Sequence, residues 1–139
     1  MTAVAVEVQS SCAIDGAGDA WCWGTNCKGG IGDGTTTDRP TPTKVLGLPK
    51  RVNQVQPGYG NTCAVLEDAT VWCWGNNQYG ELGDGTTVDR VVPTPVAGLS
   101  GVEEVATSNQ TTCARSAEAV WCWGSNFSPT PAPVAISCP

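Results

Sequence analysis

Apolar residues in this chain come in short alternating runs set apart by turn-forming residues. Within residues 52–101 the runs Val52–Gln56, Thr62–Leu66, Thr70–Gly75 and Val91–Ala97 read as strands, with Gly, Asn, Asp and Pro between them. Prolines at 93 and 95 make the last run an outer or irregular strand, because proline donates nothing to a ladder. No segment sustains helical periodicity, so an all-β fold is expected.

The pattern repeats. Trp-Cys-Trp-Gly stands at 21–24, 72–75 and 121–124 and holds all six tryptophans. Residues 24–48 (GTNCKGGIGDGTTTDRPTPTKVLGL) align without a gap on 75–99 (GNNQYGELGDGTTVDRVVPTPVAGL). After Gly124 the third copy runs SNFSPTPAPVAISCP and lacks the Gly-Asp-Gly-Thr-Thr stretch. The 139 residues therefore read as one repeat domain with units at about 1–51, 52–101 and a shortened 102–139.

Alternation assigns faces. Trp72 and Trp74 point one way with Ala64 and Leu66, and Cys63 and Cys73 point the other. Trp21 with Trp23, and Trp121 with Trp123, take the same places in their units. With both faces apolar, such a hairpin belongs between two other layers. Sheets buried on both faces and repeated every fifty residues or so describe propeller blades, the tryptophan face of one packing on the cysteine face of the next. The tryptophans are expected as blade core rather than as sugar-stacking platforms.

The eight cysteines follow the same logic. A three-residue loop at Glu67-Asp68-Ala69 pairs Leu66 with Thr70 and sets Cys63 opposite Cys73, near disulfide reach. Cys12 and Cys22 have the same separation, with Gly18 at the position of Ala69, where a left-handed residue is expected. Cys113 and Cys122 are one residue closer. A two-residue loop at Ala117-Glu118 restores their pairing, and without glycine that loop is expected to be strained. Cys27 and Cys138 have no counterparts in the other units. They pair within one chain, pair between copies, or stay free. There is no histidine and no Cys-x-x-Cys, so neither a metal site nor a cofactor is expected.

Charge narrows the function classes. The net charge is −6, and of the seven basic residues only Lys50 and Arg51 are adjacent. Nucleic-acid binding needs a concentrated positive surface and is not expected, nor is attraction to anionic membranes. No run of 18 apolar residues suggests a membrane span. The start MTAVAVEVQSSC does not read as a signal peptide, so either a leader has been removed or Met1 is the true start. Cysteine density points to an oxidising compartment, hence an extracellular or cell-surface location.

Other motifs read as structural. Gly-Asp-Gly-Thr-Thr lacks a P-loop lysine and the alternating ligands of a calcium loop, so Asp33 and Asp84 are expected to bond local backbone. Asp38-Arg39 and Asp89-Arg90 read as local ion pairs or partners of backbone carbonyls. Glu103 and Glu104 are adjacent, point to opposite sides of a strand, and make a poor acid–base pair. No catalytic residue is expected. Asn109 and Asn126 begin glycosylation sequons, and the Thr/Pro pieces at 40–43, 92–95 and 128–133 are candidate O-glycan carriers.

The Cys-Ala…Trp-Cys-Trp-Gly hairpin, the following Asn, the G-x-(I/L)-G-D-G-T-T-x-D-R stretch at 29–39 and 80–90, and the repeat period together resemble the regulator of chromosome condensation repeats. The resemblance implies β-propeller blades, seven to a ring in the best-known members. The cysteine-rich version resembles the bacterial, extracellular branch. The family's founding function, nucleotide exchange on a nuclear GTPase with chromatin binding, is not expected without a basic surface. A secreted relative that plugs β-lactamases makes the scaffold a protein binder. Three units cannot close such a ring, so an open arc bares a tryptophan face at one end and a cysteine face at the other. Something must cover those ends: the rest of a longer protein, or other copies of the chain. The expected role is a structural subunit joining end to end with other copies, as filament or ring. The alternative is a secreted protein- or carbohydrate-binding module, adhesin or inhibitor-like, that makes its contacts through loops 25–38 and 76–89.

Overall fold

The computed structural model describes residues 1–135. Three four-stranded antiparallel sheets follow one another along the chain, with no helix among the described residues. The first blade is β1 (Ala3–Val6), β2 (Ser10–Ile14), β3 (Ala20–Gly24) and β4 (Arg39–Lys44). The second is β5 (Val52–Pro57), β6 (Asn61–Leu66), β7 (Val71–Gly75) and β8 (Arg90–Pro95). The third is β9 (Glu104–Thr107), β10 (Thr111–Arg115), β11 (Val120–Gly124) and a short β12 (Ala132–Pro133). Each sheet keeps its strands in sequence order, so every connection within a blade is local.

The central hairpins hold the expected register. Cys12 faces Cys22, Cys63 faces Cys73 and Cys113 faces Cys122. The paired sulfurs stand 2.12, 2.13 and 2.05 Å apart, which is bonding distance. In the second hairpin Ala69 is left-handed (φ 64°), and Gly18 fills that place in the first (φ 85°). The third hairpin departs from the expected strain. Neither Ala117 nor Glu118 has positive φ. Instead the Ser116 hydroxyl accepts the N–H groups of Glu118 and Ala119, each at 3.2 Å, and caps the turn.

Alanine in the left-handed region costs energy that glycine avoids. We expect Ala69→Gly to stabilise the chain by about 0.5–1 kcal/mol in urea unfolding, since relief of strain exceeds the extra freedom of the unfolded glycine.

The glycine of each Trp-Cys-Trp-Gly is fixed by close backbone. Gly75 has φ 99°, and a Cβ there would collide with the carbonyl oxygen of Gly60. The β7–β8 register shifts between Cys73 and Gly75, a bulge that turns the chain into the loop beyond.

The blades stack on alternating faces. One core joins Cys12, Ile14, Ala20 and Cys22 of blade 1 to Ala64, Leu66 and Trp74 of blade 2, with Trp72 packed against it. The next joins Cys63, Val65, Val71 and Cys73 to Val105, Ala114 and Trp123 of blade 3, with Trp121 at its margin. Each joint therefore sets a cysteine face against the following tryptophan face.

Candidate functional site: the blade joints and the end faces

Each long β3–β4-type loop is organised by one buried asparagine. In blade 1 the Asn26 amide donates to the carbonyls of Thr35 and Thr37, both at 3.0 Å, and its oxygen accepts from Ile31 N. Asn77 repeats this with Thr86, Val88 and Leu82. Asp33 and Asp84 accept from the backbone N–H and the hydroxyl of Thr35 and Thr86. Arg39 and Arg90 pair with these aspartates, not with their sequence neighbours. Asp38 and Asp89 instead accept the backbone N–H of Asn26 and Asn77. Adjacent residues on extended chain point apart, so an arginine reaches the loop aspartate and its neighbour cannot.

The ordered loop is the latch of the joint. Trp74 Nε1 and Thr62 Oγ1 both donate to the Gly30 carbonyl, at 2.9 and 2.8 Å. One blade on, Trp123 Nε1 and Thr112 Oγ1 donate to the Glu81 carbonyl, at 2.9 and 2.7 Å. A loop glycine N–H then meets the next outer strand or its counterpart: Gly34 donates to Val91 O and Gly85 to Pro129 O, each at 3.0 Å. A salt bridge from Lys28 to Asp89 (3.6 Å) ties the first loop to the second. Sequence reasoning missed the Ser/Thr donors and the loop carbonyls. The signal was there: Ser11, Thr62 and Thr112 each precede the first cysteine of a pair.

At the first end the same positions stand open. Val4 faces Ala13, which faces Trp21, and Val6 faces Ser11, which faces Trp23. Val4 is 63% exposed, whereas its equivalents Val55 and Val105 are 4% and 1% exposed. Trp23 is half-buried, while Trp74 and Trp123 are fully buried. Trp21 is half-buried like Trp72 and Trp121, its indole N–H donating to Asp15 Oδ2.

The far end is different in kind. Arg115 occupies the position of Ile14 and Val65 on the cysteine face. It pairs with Glu104 (2.7 Å) and with Glu103 (2.6 Å). The two glutamates, expected on opposite sides, converge because β9 begins only at Glu104 and the guanidinium fork reaches both. The connection from β11 to β12 spans residues 125–131 and contains no latch loop. Phe127 N instead donates to Gly124 O in a tight turn with Asn126 left-handed (φ 69°) and exposed. Asn109 is also exposed. Cys27 is exposed and unpaired among the described residues, and Cys138 lies outside them.

One buried acid sits beside a latch. The Glu81 side chain is fully buried, with Oε2 accepting Tyr79 N at 2.7 Å and Oε1 unpartnered. Burial holds its carboxyl above the ordinary range, against backbone N–H bonds that favour the anion, and the Asp89 charge adds to the rise. Below the ordinary glutamate value of 4.5 both folded and unfolded chains keep the proton. As pH rises, the unfolded chain ionises first and the fold loses stability until the raised folded value is passed. The Glu81→Gln chain should therefore gain stability relative to its parent as pH climbs from acid to neutral. Melting temperatures of the two chains across that range measure the divergence, and parallel curves would count against it.

Comparison with known proteins follows the repeat. The model for the regulator of chromosome condensation (RCC1) repeat matches residues 17–65 and 68–115. The human E3 ubiquitin-protein ligase HERC2 is 33% identical over 127 residues, covering 87% of this chain and 3% of that protein. The Arabidopsis thaliana ultraviolet-B receptor UVR8 is 37% identical over 90 residues, covering 63% and 20%. Human WBSCR16 superposes with a TM-score of 0.86 at 25% identity, over 96% of this chain and 37% of that one. Saccharomyces cerevisiae Prp20p, described with its binding to Gsp1p and histones, superposes at 0.75 and 25% identity, over 93% and 35%. The chain thus spans about a third of these solved structures and a fifth or less of these sequence relatives.

Proposed function

The chain belongs to the regulator of chromosome condensation (RCC1) repeat family, and from that premise we propose that it is a non-catalytic protein-binding module whose contact surface is the open face of blade 1. The observation that carries this reading is the exposure of Val4 where Val55 and Val105 are buried. Exposed apolar faces of this kind mark interaction sites. Protein is the ligand class favoured by likeness to Prp20p, described by its binding to Gsp1p and histones. Three cysteine pairs at bonding distance support an extracellular or cell-surface setting.

End-to-end joining of identical copies is the second reading, favoured by the two ends left open. It is weaker on geometry, since the joint would press Arg115 and two glutamates against Val4, Val6 and Trp23 and offer no latch loop. A glycan on the half-buried Trp21 and Trp23 is a further form of the binding-module reading, with the same face engaged. Light scattering over a wide concentration range tests the choice. A mass that stays monomeric fits a module awaiting a different partner. A mass that grows without limit, or a non-reducing ladder that collapses on reduction, would replace it with end-to-end assembly.

A further inference from the structure

We infer that the loop end of the first blade joint holds a site for a neutral oligosaccharide, seated in the cleft between loops 25–38 and 76–89 and stacked on exposed tyrosine. The site lies inside the chain, between blades 1 and 2. It is separate from the open face of blade 1, so either can fail without the other.

The turn after the first strand of each blade and the long loop after its third strand meet at one end of the stack. Tyr59, Tyr79 and Phe127, which with the six tryptophans make up the aromatic residues of the chain, all stand exposed at that end. The turns and connections of the opposite end carry Asp15, Lys50, Glu67, Asp68 and Glu118 instead. At the first joint the loop end opens into a shallow cleft of about 450 Å³, lined by Lys28, Gln78, Thr87, Val88 and Asp89. Beside it Gly60 is left-handed (φ 84°). Asn76 Cβ lies 3.5 Å from where a Gly60 Cβ would stand, and Gln9 Oε1 and Lys28 Cβ lie 3.9 Å from it. Lys28 belongs to both groups and joins them into one surface. Blade 1 supplies Gln9 and Lys28, and blade 2 the rest.

The chemistry of this surface selects its ligand. The amides of Gln9 and Gln78 and the Thr87 hydroxyl make no hydrogen bond among the described residues, and Asn76 uses only its oxygen, on Gln78 N. Charge around the cleft is matched. Asp89 faces Lys28, Asp84 faces Arg90, Asp33 faces Arg39, and Asp38 accepts the N–H of Asn26. An anionic chain therefore meets no cation without a partner. An apolar peptide anchor needs a dry pocket, and amides and an ion pair line this one. A sugar fits both features. Its C–H face stacks on an aromatic ring, and its neighbouring hydroxyls pair with amides and with a carboxylate–ammonium couple. The volume falls in the range of small-ligand sites, roughly 300–1,000 Å³.

The second joint does not repeat the set. Tyr79 stands where Lys28 stands in the first loop, and Gln110 takes the place of Gly60. The cleft thus comes from these residues and not from the repeat itself.

The test applies the whole chain to an array of neutral oligosaccharides, with uronic-acid and sulfated oligosaccharides of equal length alongside. The strongest neutral binder is then titrated by calorimetry. One neutral class should bind, with an affinity unchanged between about 0.05 and about 0.5 M NaCl, since no net charge is engaged. Tyr79→Ala should weaken binding about tenfold and Gln78→Ala about fivefold, whereas Tyr79→Phe should keep the stack and the affinity. All these side chains are exposed, so the variants should melt with the parent. Leu46→Ala, exposed at the opposite end, should bind as the parent does. An array with no neutral binder, or a preference for the acidic members, overturns the inference. Binding that survives Tyr79→Ala but is lost in Trp23→Ala moves the glycan to the face of blade 1 and overturns this site alone. A protein captured through the cleft and lost in Tyr79→Ala, with no neutral glycan bound, overturns the ligand class.

Discussion

Replacing Trp74 by alanine is expected to destabilise the chain by about 3–5 kcal/mol, against about 1 kcal/mol for the same change at Trp23. The two residues share sequence context, strand position and hairpin register. They differ in what lies over them. Trp74 is fully buried in the first blade joint, and its N–H reaches the Gly30 carbonyl. Its removal leaves a cavity between Ile31, Val45 and Leu66, residues of the same core. It also strips one donor from a buried carbonyl, leaving Thr62 alone on it. Trp23 is half-buried, and solvent supplies what the missing joint does not. Because each blade meets only its neighbours, the loss at Trp74 should uncouple blade 1 from blade 2 rather than soften the whole chain. Urea unfolding followed at the remaining tryptophans reads both effects. Equal costs at the two positions would mean that the open face is covered in solution.

Hairpin register and face assignment were legible because both obey a period of two. Once Trp72 and Trp74 share a face, Cys63 and Cys73 must share the other, and no tertiary knowledge is needed. The loops were less legible. Their order depends on Asn26 and Asn77 reaching carbonyls nine and eleven residues away, contacts with no short period to betray them. For the same reason Arg39 and Arg90 find Asp33 and Asp84 six residues back, where the expectation was a local ion pair or a backbone carbonyl partner. The glycine-free turn at 117–118 escaped because its remedy is a side chain, Ser116, rather than a backbone preference. Most telling is Arg115. In the sequence it is one substitution in TCAR against TCAV; only with the sheets stacked does it stand on the face where a fourth blade would sit.

That asymmetry orders the chemistry of the cysteines. With dithiothreitol under native conditions, Cys113–Cys122 should be reduced first, about 100-fold faster than the other two pairs. Thiolate attack needs an exposed sulfur. Cys113 is part-exposed on the open far face, whereas Cys12, Cys22, Cys63 and Cys73 are all 0% exposed. Those four lie beneath the next blade, so attack waits for a joint to open, and an opening cost of about 3 kcal/mol slows it by about two powers of ten. Losing a crosslink across so short a loop costs about 2–3 kcal/mol, and it falls on a terminal blade with a single neighbour. Blade 3 should then open locally, lifting Ala114 and Trp123 off Cys63–Cys73 and making that pair the next to react. Cys12–Cys22, covered by blade 2, should go last. Timed alkylation with mass spectrometry reads the sequence directly. Simultaneous loss of all three pairs would show that the blades open as one unit, and early loss of Cys12–Cys22 would place the weak joint at the other end.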